Sequence, residues 1–79
     1  MLVRVKLFTK LAEYVPDVRS GEPFEVRVQS KATLSDLISR LRLPQEEAKL
    51  LFVNGLTKSP DYILQNNDEV GIFPPIGGG

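Results

Sequence analysis

The chain contains no cysteine, no histidine and no tryptophan among its 79 residues. Without cysteine it has no disulfide framework, no thiolate zinc site and no cysteine nucleophile. Without histidine it has no Ser-His triad, no imidazole acid or base and no histidine metal ligand. The sequence therefore offers no catalytic residues of its own, and we expect no bound cofactor and no metal.

An excess of charge of either sign is also missing. Ten Lys and Arg balance ten Asp and Glu, so we expect no general attraction to nucleic acid or to anionic membranes. No apolar run approaches the roughly 20 residues of a membrane span, and charged residues interrupt the apolar stretch Met1–Lys6, unlike a signal peptide. These features predict a cytoplasmic protein that is a monomer when free.

The length predicts one small domain. The hydrophobic fraction of 42% and the charged fraction of 25% are those of an ordinary globular domain. A chain of this size buries only about 60% of its unfolded surface. Little room is left for an enclosed active site.

Hydrophobic alternation predicts two strands in the first part of the chain. Apolar residues alternate with charged ones over Val3–Leu7 and again over Phe24–Val28. Between these strands, Thr9 is expected to cap a short helical stretch, Lys10–Val15.

A longer helix is predicted after the second strand. Thr33 suits the N-cap position, and Asp36 stands where a capping box requires an acidic partner. Four apolar residues then form one stripe at helical spacing: Leu34, Leu37, Ile38 and Leu41. Leu43-Pro44 is expected to end the helix.

Two further strands are predicted, over Leu50–Val53 and from Val70 to Phe73. Asn54-Gly55 is the strongest two-residue turn signal in the chain. Phe52 lies in a continuous apolar run, and a position in the core is the better expectation for it. The sequence order of four strands and one main helix favours an α+β fold with a mixed sheet of four to five strands, covered on one face by the helix. This is the β-grasp (ubiquitin-like) arrangement, expected over residues 1–73.

Two aromatic residues break the alternation of their strands. Phe73 follows the apolar Ile72, so that one of the two faces outward, and Phe8 follows Leu7 in the same way. An outward aromatic ring beside the end of the last strand would be a natural anchor for a partner protein.

The segment 74–79 is expected to be a flexible tail. Pro74-Pro75 favours extended polyproline geometry, and three glycines follow Ile76. Extended, this tail reaches about 20 Å and can enter a partner channel too narrow for side chains. The group that it delivers is the α-carboxylate of Gly79, ionised at neutral pH. Attack on ATP would convert this carboxylate into an acyl-adenylate, which passes its acyl group to sulfur or to an amine.

With these motifs the sequence resembles the MoaD/ThiS family of ubiquitin-like sulfur carriers, in particular the small subunit of molybdopterin synthase. The resemblance covers nearly the whole chain and is carried by Thr33–Leu37, Val53-Asn54-Gly55, Asp68-Glu69-Val70 and, most specifically, Phe73–Gly79. The family has a small residue before two glycines, whereas here Ile76 precedes three.

The resemblance implies that an E1-like adenylating enzyme consumes ATP to activate Gly79 and that a sulfur donor then makes a thiocarboxylate there. The tail would next enter the large subunit of molybdopterin synthase and give its sulfur to a pterin precursor. Gly77 and Gly78 would thread the channel, with the residues Pro74, Pro75 and Ile76 alongside. Phe73 to Ile76 would contact the partner, and the broken alternation of the first strand adds Phe8 as a further candidate contact.

Other uses of the same chain remain open at this point. The activated tail also suits sulfur transfer to thiamine or to tRNA, and conjugation to protein lysines. A third possibility is a non-catalytic β-grasp interaction domain with an inert tail.

Overall fold

The computed structural model describes residues 1–75. It contains five strands, β1 (Leu2–Leu7), β2 (Phe24–Arg27), β3 (Leu50–Val53), β4 (Leu56–Thr57) and β5 (Glu69–Phe73), and one α-helix, α1 (Leu34–Arg40). Two short 3-10 helices lie at Thr9–Tyr14 and Gln45–Glu47.

The five strands form one mixed sheet in the order β2-β1-β5-β3-β4. The last strand, β5, lies in the middle, where it runs parallel to β1 and antiparallel to β3. β2 pairs antiparallel with β1 at one edge, and β4 pairs antiparallel with β3 at the other. The predicted α+β class and β-grasp arrangement are therefore confirmed.

The hydrophobic core lies between α1 and one face of the sheet. Alternate residues of β1 and β5 are fully or almost fully buried there, together with the apolar stripe of the helix (Val3, Val5, Leu7, Val70, Ile72, Leu34, Leu37 and Ile38). The other face of the sheet carries no helix among residues 1–75. None of the helices in this part of the chain is long and apolar enough to cross a membrane.

The helix begins as predicted but ends earlier. Thr33 Oγ1 accepts a hydrogen bond from the Asp36 amide (3.1 Å), and the Asp36 carboxylate accepts one from the Thr33 amide (2.9 Å). At the other end Arg42 has a φ of 59°, and the Leu43 amide donates to the Ile38 carbonyl. This closing turn terminates α1 at Arg40 rather than at the predicted Leu43-Pro44, because a left-handed residue cannot continue the helix.

The prediction that Thr9 caps the first helical stretch is wrong. Thr9 lies inside the 3-10 helix, Phe8 occupies the N-cap position, and no side chain caps this end. Thr9 has a φ of 54°, and its hydroxyl donates to the Phe8 carbonyl at 2.7 Å. The Thr9 hydroxyl therefore bonds to the carbonyl that precedes the helix and does not cap the free amides of its first turn.

A buried carboxylate joins the β3–β4 turn to the start of β5. The Asp68 residue is only 5% exposed, and its carboxylate accepts hydrogen bonds from Asn54 Nδ2 (3.0 Å), Tyr62 Oη (3.0 Å) and the Gln65 amide (2.8 Å). Asn54 Oδ1 in turn accepts from the Glu69 amide at 3.0 Å. Because each carboxylate oxygen has a donor, the buried group is satisfied and holds the β3–β4 turn to the β4–β5 connection.

Candidate functional site

The central strand of the sheet delivers the chain to its proline pair. The Phe73 carbonyl accepts a hydrogen bond from the Lys49 amide at 3.2 Å. Pro74 is half-buried and Pro75 is exposed, and neither can donate to a strand ladder. The chain therefore leaves the sheet beyond Phe73, at the edge where the parallel strand β1 also ends. The predicted tail residues Ile76, Gly77, Gly78 and Gly79 lie outside the described residues.

Three phenylalanine rings lie together on the open face of the sheet, next to this exit. The rings of Phe8 and Phe73 are stacked, with centroids 4.0 Å apart and an interplanar angle of 1°. Phe52 meets Phe73 edge to face at 5.5 Å. The prediction that one of Ile72 and Phe73 faces outward is confirmed, since Ile72 is buried and Phe73 lies on the open face.

The expectation of a core position for Phe52 is wrong. Phe52 is half-buried on the open face, whereas its neighbours Leu51 and Val53 point into the core. Successive strand residues point to opposite faces of a sheet, so the run Leu50–Val53 has to divide between the two. Its continuous apolar character concealed which residues face outward.

Gly71 forms the floor between the three rings. A Cβ atom at Gly71 would lie 3.6 Å from Phe8 Cε2, 3.8 Å from Phe73 Cε1 and 3.9 Å from Phe52 Cβ. Sequence reasoning did not single out this residue. The available signal was a glycine inside a strand, which often marks a close approach of another group to the backbone.

A shallow cavity of about 400 Å³ opens above Gly71. Its lining combines the three rings and Pro23 with the charged residues Arg4, Lys6 and Glu69. An open concavity lined by aromatic rings and charged side chains is suited to binding another surface rather than to chemistry.

The charges around the cavity differ in how they are matched across the strands. Arg4 is aligned with Glu25 on β2 and with Glu69 on β5. Lys6 is aligned with Gly71 on β5, and it lies beyond the last β1–β2 pair, which joins Val5 to Phe24. No acidic residue is therefore aligned with Lys6 in the two strand registers that flank it.

Neither tyrosine of the chain lines this cavity, and the pKa of each is raised. The Tyr14 hydroxyl donates to Glu47 Oε2 at 3.0 Å, and this bond to a carboxylate raises the tyrosine pKa. Desolvation raises the pKa of Tyr62, with a further contribution from its hydrogen bond to Asp68. Within residues 1–75, no group of three or more acidic side chains is placed to hold a metal ion.

Three solved structures share this fold over nearly the whole chain. Small archaeal modifier protein 1 from Haloferax volcanii is 22% identical and superposes with a TM-score of 0.73, over 95% of this chain and 98% of that chain. A protein assigned as molybdopterin converting factor subunit 1 from Pyrococcus furiosus is 25% identical, with a TM-score of 0.68 over 96% and 99%.

The third structure is a protein–protein complex of subunits 1 and 2 of the molybdopterin-converting factor from Helicobacter pylori. It is 20% identical, with a TM-score of 0.61 over the full length of both chains. Ubiquitin-like proteins of these kinds thus share the fold described above. No curated protein matches the chain significantly. Residues 1–77 match the family model described as Mut7-C ubiquitin.

Proposed function

This chain belongs to the Mut7-C ubiquitin family, and we propose that it is a ubiquitin-like sulfur carrier that donates sulfur in molybdopterin biosynthesis. The observation that carries the proposal is the way β5 delivers the chain, at Phe73, from the centre of the sheet to Pro74-Pro75 beside an aromatic surface. The likeness to a molybdopterin converting factor subunit at 25% identity supports it.

The proposed chemistry takes place at Gly79 and requires a free α-carboxylate there. A carboxylate oxygen attacks the α-phosphorus of ATP, the bond to pyrophosphate breaks, and an acyl-adenylate forms. Hydrosulfide then attacks the carbonyl carbon, and AMP leaves with the bonding electron pair. The product is a thiocarboxylate, and in this proposal ATP and the sulfur source are handled by partner enzymes.

The folded part of the chain serves recognition in this proposal. Phe8 and Phe73 contact the E1-like adenylating enzyme and, later, the large subunit of a molybdopterin synthase. Pro74 and Pro75 hold the tail away from the sheet because their fixed φ angles favour extended backbone. Ile76, Gly77 and Gly78 enter the partner channel, where the absence of side chains on the two glycines permits a narrow passage.

A second candidate is a protein modifier that uses the same activated tail. The shared fold with small archaeal modifier protein 1 favours it. A lysine amine then attacks the acyl-adenylate in place of hydrosulfide, AMP leaves, and an isopeptide bond forms. Sulfur transfer to thiamine or tRNA would start from the same thiocarboxylate and differ only in the acceptor.

Intact-mass spectrometry tests the proposal directly. The protein is incubated with ATP, sulfide and an E1-like adenylating enzyme, and we expect one oxygen to be replaced by one sulfur. Deleting Gly79 or appending a bulky residue after it should abolish this mass change. Adding the large synthase subunit and a pterin precursor should restore the original mass.

Two outcomes would count against this function. An unchanged mass for the unaltered protein, under conditions in which the enzyme forms AMP with a known carrier, would reject sulfur loading. A ladder of conjugates on lysines, without accumulation of the thiocarboxylate, would favour the modifier instead.

A further inference from the structure

The cavity above Gly71 combines aromatic rings with a lysine that has no acidic residue in register. Its lining includes the rings of Phe8, Phe52 and Phe73, which are only half-buried. Lys6 also lines the cavity, is exposed, and stands in register with Gly71 itself. One occupant can therefore contact both chemical features at once.

We propose that this cavity is a specific binding site for a partner segment that carries an apolar side chain next to a carboxylate. The apolar side chain lies over Gly71 between the rings, and the carboxylate pairs with Lys6. The inference deepens the proposed function, since it states which chemistry a partner must present to the surface beside the tail.

The apolar half of the site depends on the missing side chain at Gly71. The rings of Phe8 and Phe73 and the Cβ atom of Phe52 lie between 3.6 and 3.9 Å from the position of its absent Cβ, which is ordinary van der Waals contact. Any side chain there would occupy the floor on which the occupant rests. Protein surfaces that bury such a side chain in a ring-lined hollow gain most of their binding free energy at that point.

The polar half of the site depends on the difference between Lys6 and Arg4. Arg4 has an acidic residue aligned with it on each neighbouring strand, Glu25 and Glu69. Lys6 has no acidic residue in register, and the cavity lining holds two basic residues, Arg4 and Lys6, against one acidic residue, Glu69. Charge complementarity of this kind favours an acidic occupant over a basic one.

The size of the cavity fits one such group. Its volume of about 400 Å³ lies near the lower end of the roughly 300–1,000 Å³ found for small-molecule sites. It has room for one aromatic or branched apolar side chain with its neighbouring carboxylate. Phe73 is part of its lining, so an occupant would lie beside the start of the tail.

Two small probes test the site without any partner protein. One is 3-phenylpropionate, which joins an apolar ring to a carboxylate, and the other is the matched alcohol 3-phenylpropan-1-ol. In amide NMR titrations of the full chain we expect both to shift Lys6, Gly71 and Phe73. The carboxylate should bind about threefold tighter, the size of an exposed ion pair.

Substitutions then separate the two halves of the site. Lys6→Gln should abolish the preference for the carboxylate and leave binding of the alcohol unchanged. Gly71→Ala should weaken both probes severalfold while the protein remains folded. Arg27→Gln removes a charge at the distant position aligned with Leu2 and should change neither affinity.

Three results would overturn the inference: no amide shifts at tens of millimolar probe, equal affinity of acid and alcohol, or unaltered binding to the Gly71→Ala protein. Each of these results would overturn the inference whether or not Gly79 is loaded with sulfur. Conversely, probe binding as expected in a protein that takes up no sulfur would reject the proposed function but not the binding site.

Discussion

The ring of Phe8 lies parallel to the ring of Phe73, with 4.0 Å between their centroids and 1° between their planes. One residue follows the first strand, and the other ends the last strand. This contact fixes the point at which the chain leaves the sheet, because β1 and β5 run parallel and end at the same edge. A residue near the amino terminus therefore helps to position the start of the tail.

Phe8→Ala should lower the free energy of unfolding by about 2 kcal/mol, since it removes a half-buried ring and its stacking contact with Phe73. Phe8→Leu retains apolar bulk and should lose only the stacking contribution, about 1 kcal/mol. Urea unfolding followed by circular dichroism measures both. An unchanged stability of the Phe8→Leu protein would show that stacking contributes nothing.

Asp68→Asn should destabilise the fold by about 2 kcal/mol. An amide side chain has one acceptor oxygen, whereas the carboxylate accepts from Asn54, Tyr62 and the Gln65 amide. The NH₂ group of the asparagine side chain would face at least one of these donors, so that one hydrogen bond is lost. Asp17→Asn is the matched control, because Asp17 is exposed with a φ of 63°, which asparagine tolerates. A loss as large in the control would assign the effect to net charge.

Stability should decrease at alkaline pH through Tyr62. Desolvation raises the pKa of Tyr62 above its ordinary value of 10.0. Above that value the unfolded chain loses the tyrosine proton while the folded chain retains it. The folded state then binds more protons, so the free energy of unfolding falls as pH rises. The stabilising contribution of Tyr62 is fully present below about pH 10 and is lost as the pH rises through its raised pKa in the folded state.

Unfolding measured between pH 8 and pH 11 should show a shallower decline for Tyr62→Phe than for the unaltered protein. Tyr14, whose pKa is also raised, contributes in the same direction, and the double variant should have the flattest profile. An identical decline in all three proteins would place the pH dependence on other groups.

Two glycine substitutions should have opposite signs. Gly71→Ala should raise the free energy of unfolding by about 0.5–1 kcal/mol, because glycine is unfavourable inside a strand. Its new Cβ meets only ordinary contacts. Gly55→Ala should lower it by about 1 kcal/mol, since its φ of 85° strains any other residue although nothing lies within 4 Å. Thermal unfolding of both proteins provides the comparison, and two shifts of the same sign would contradict this argument.

Most of the fold follows from local patterns in the sequence. The alternation in Val3–Leu7 and the pair Thr33 and Asp36 each predict a feature that the structure shows. Phe52 was misplaced because its run is apolar throughout, and such a run does not reveal which face is buried. β4 escaped prediction because its two residues are too few to show any period.

The candidate site was only partly predictable. Phe8 and Phe73 stand out because each breaks an alternation. Gly71 and Lys6 acquire their significance only when strand register places them side by side. Register between β1 and β5 joins segments from the two ends of the chain, so no local pattern contains it.

The position of β5 has a consequence for the order of events during synthesis. Until Phe73 has emerged from the ribosome, the place between β1 and β3 stays empty, and the hydrophobic layer under the helix cannot close. Pairing of segments so distant along the chain also slows folding, because the loop between them must be closed first. The glycine tail is made after the strand that completes the sheet, so under the proposed function an activating enzyme that reads the assembled surface would ignore unfinished chains.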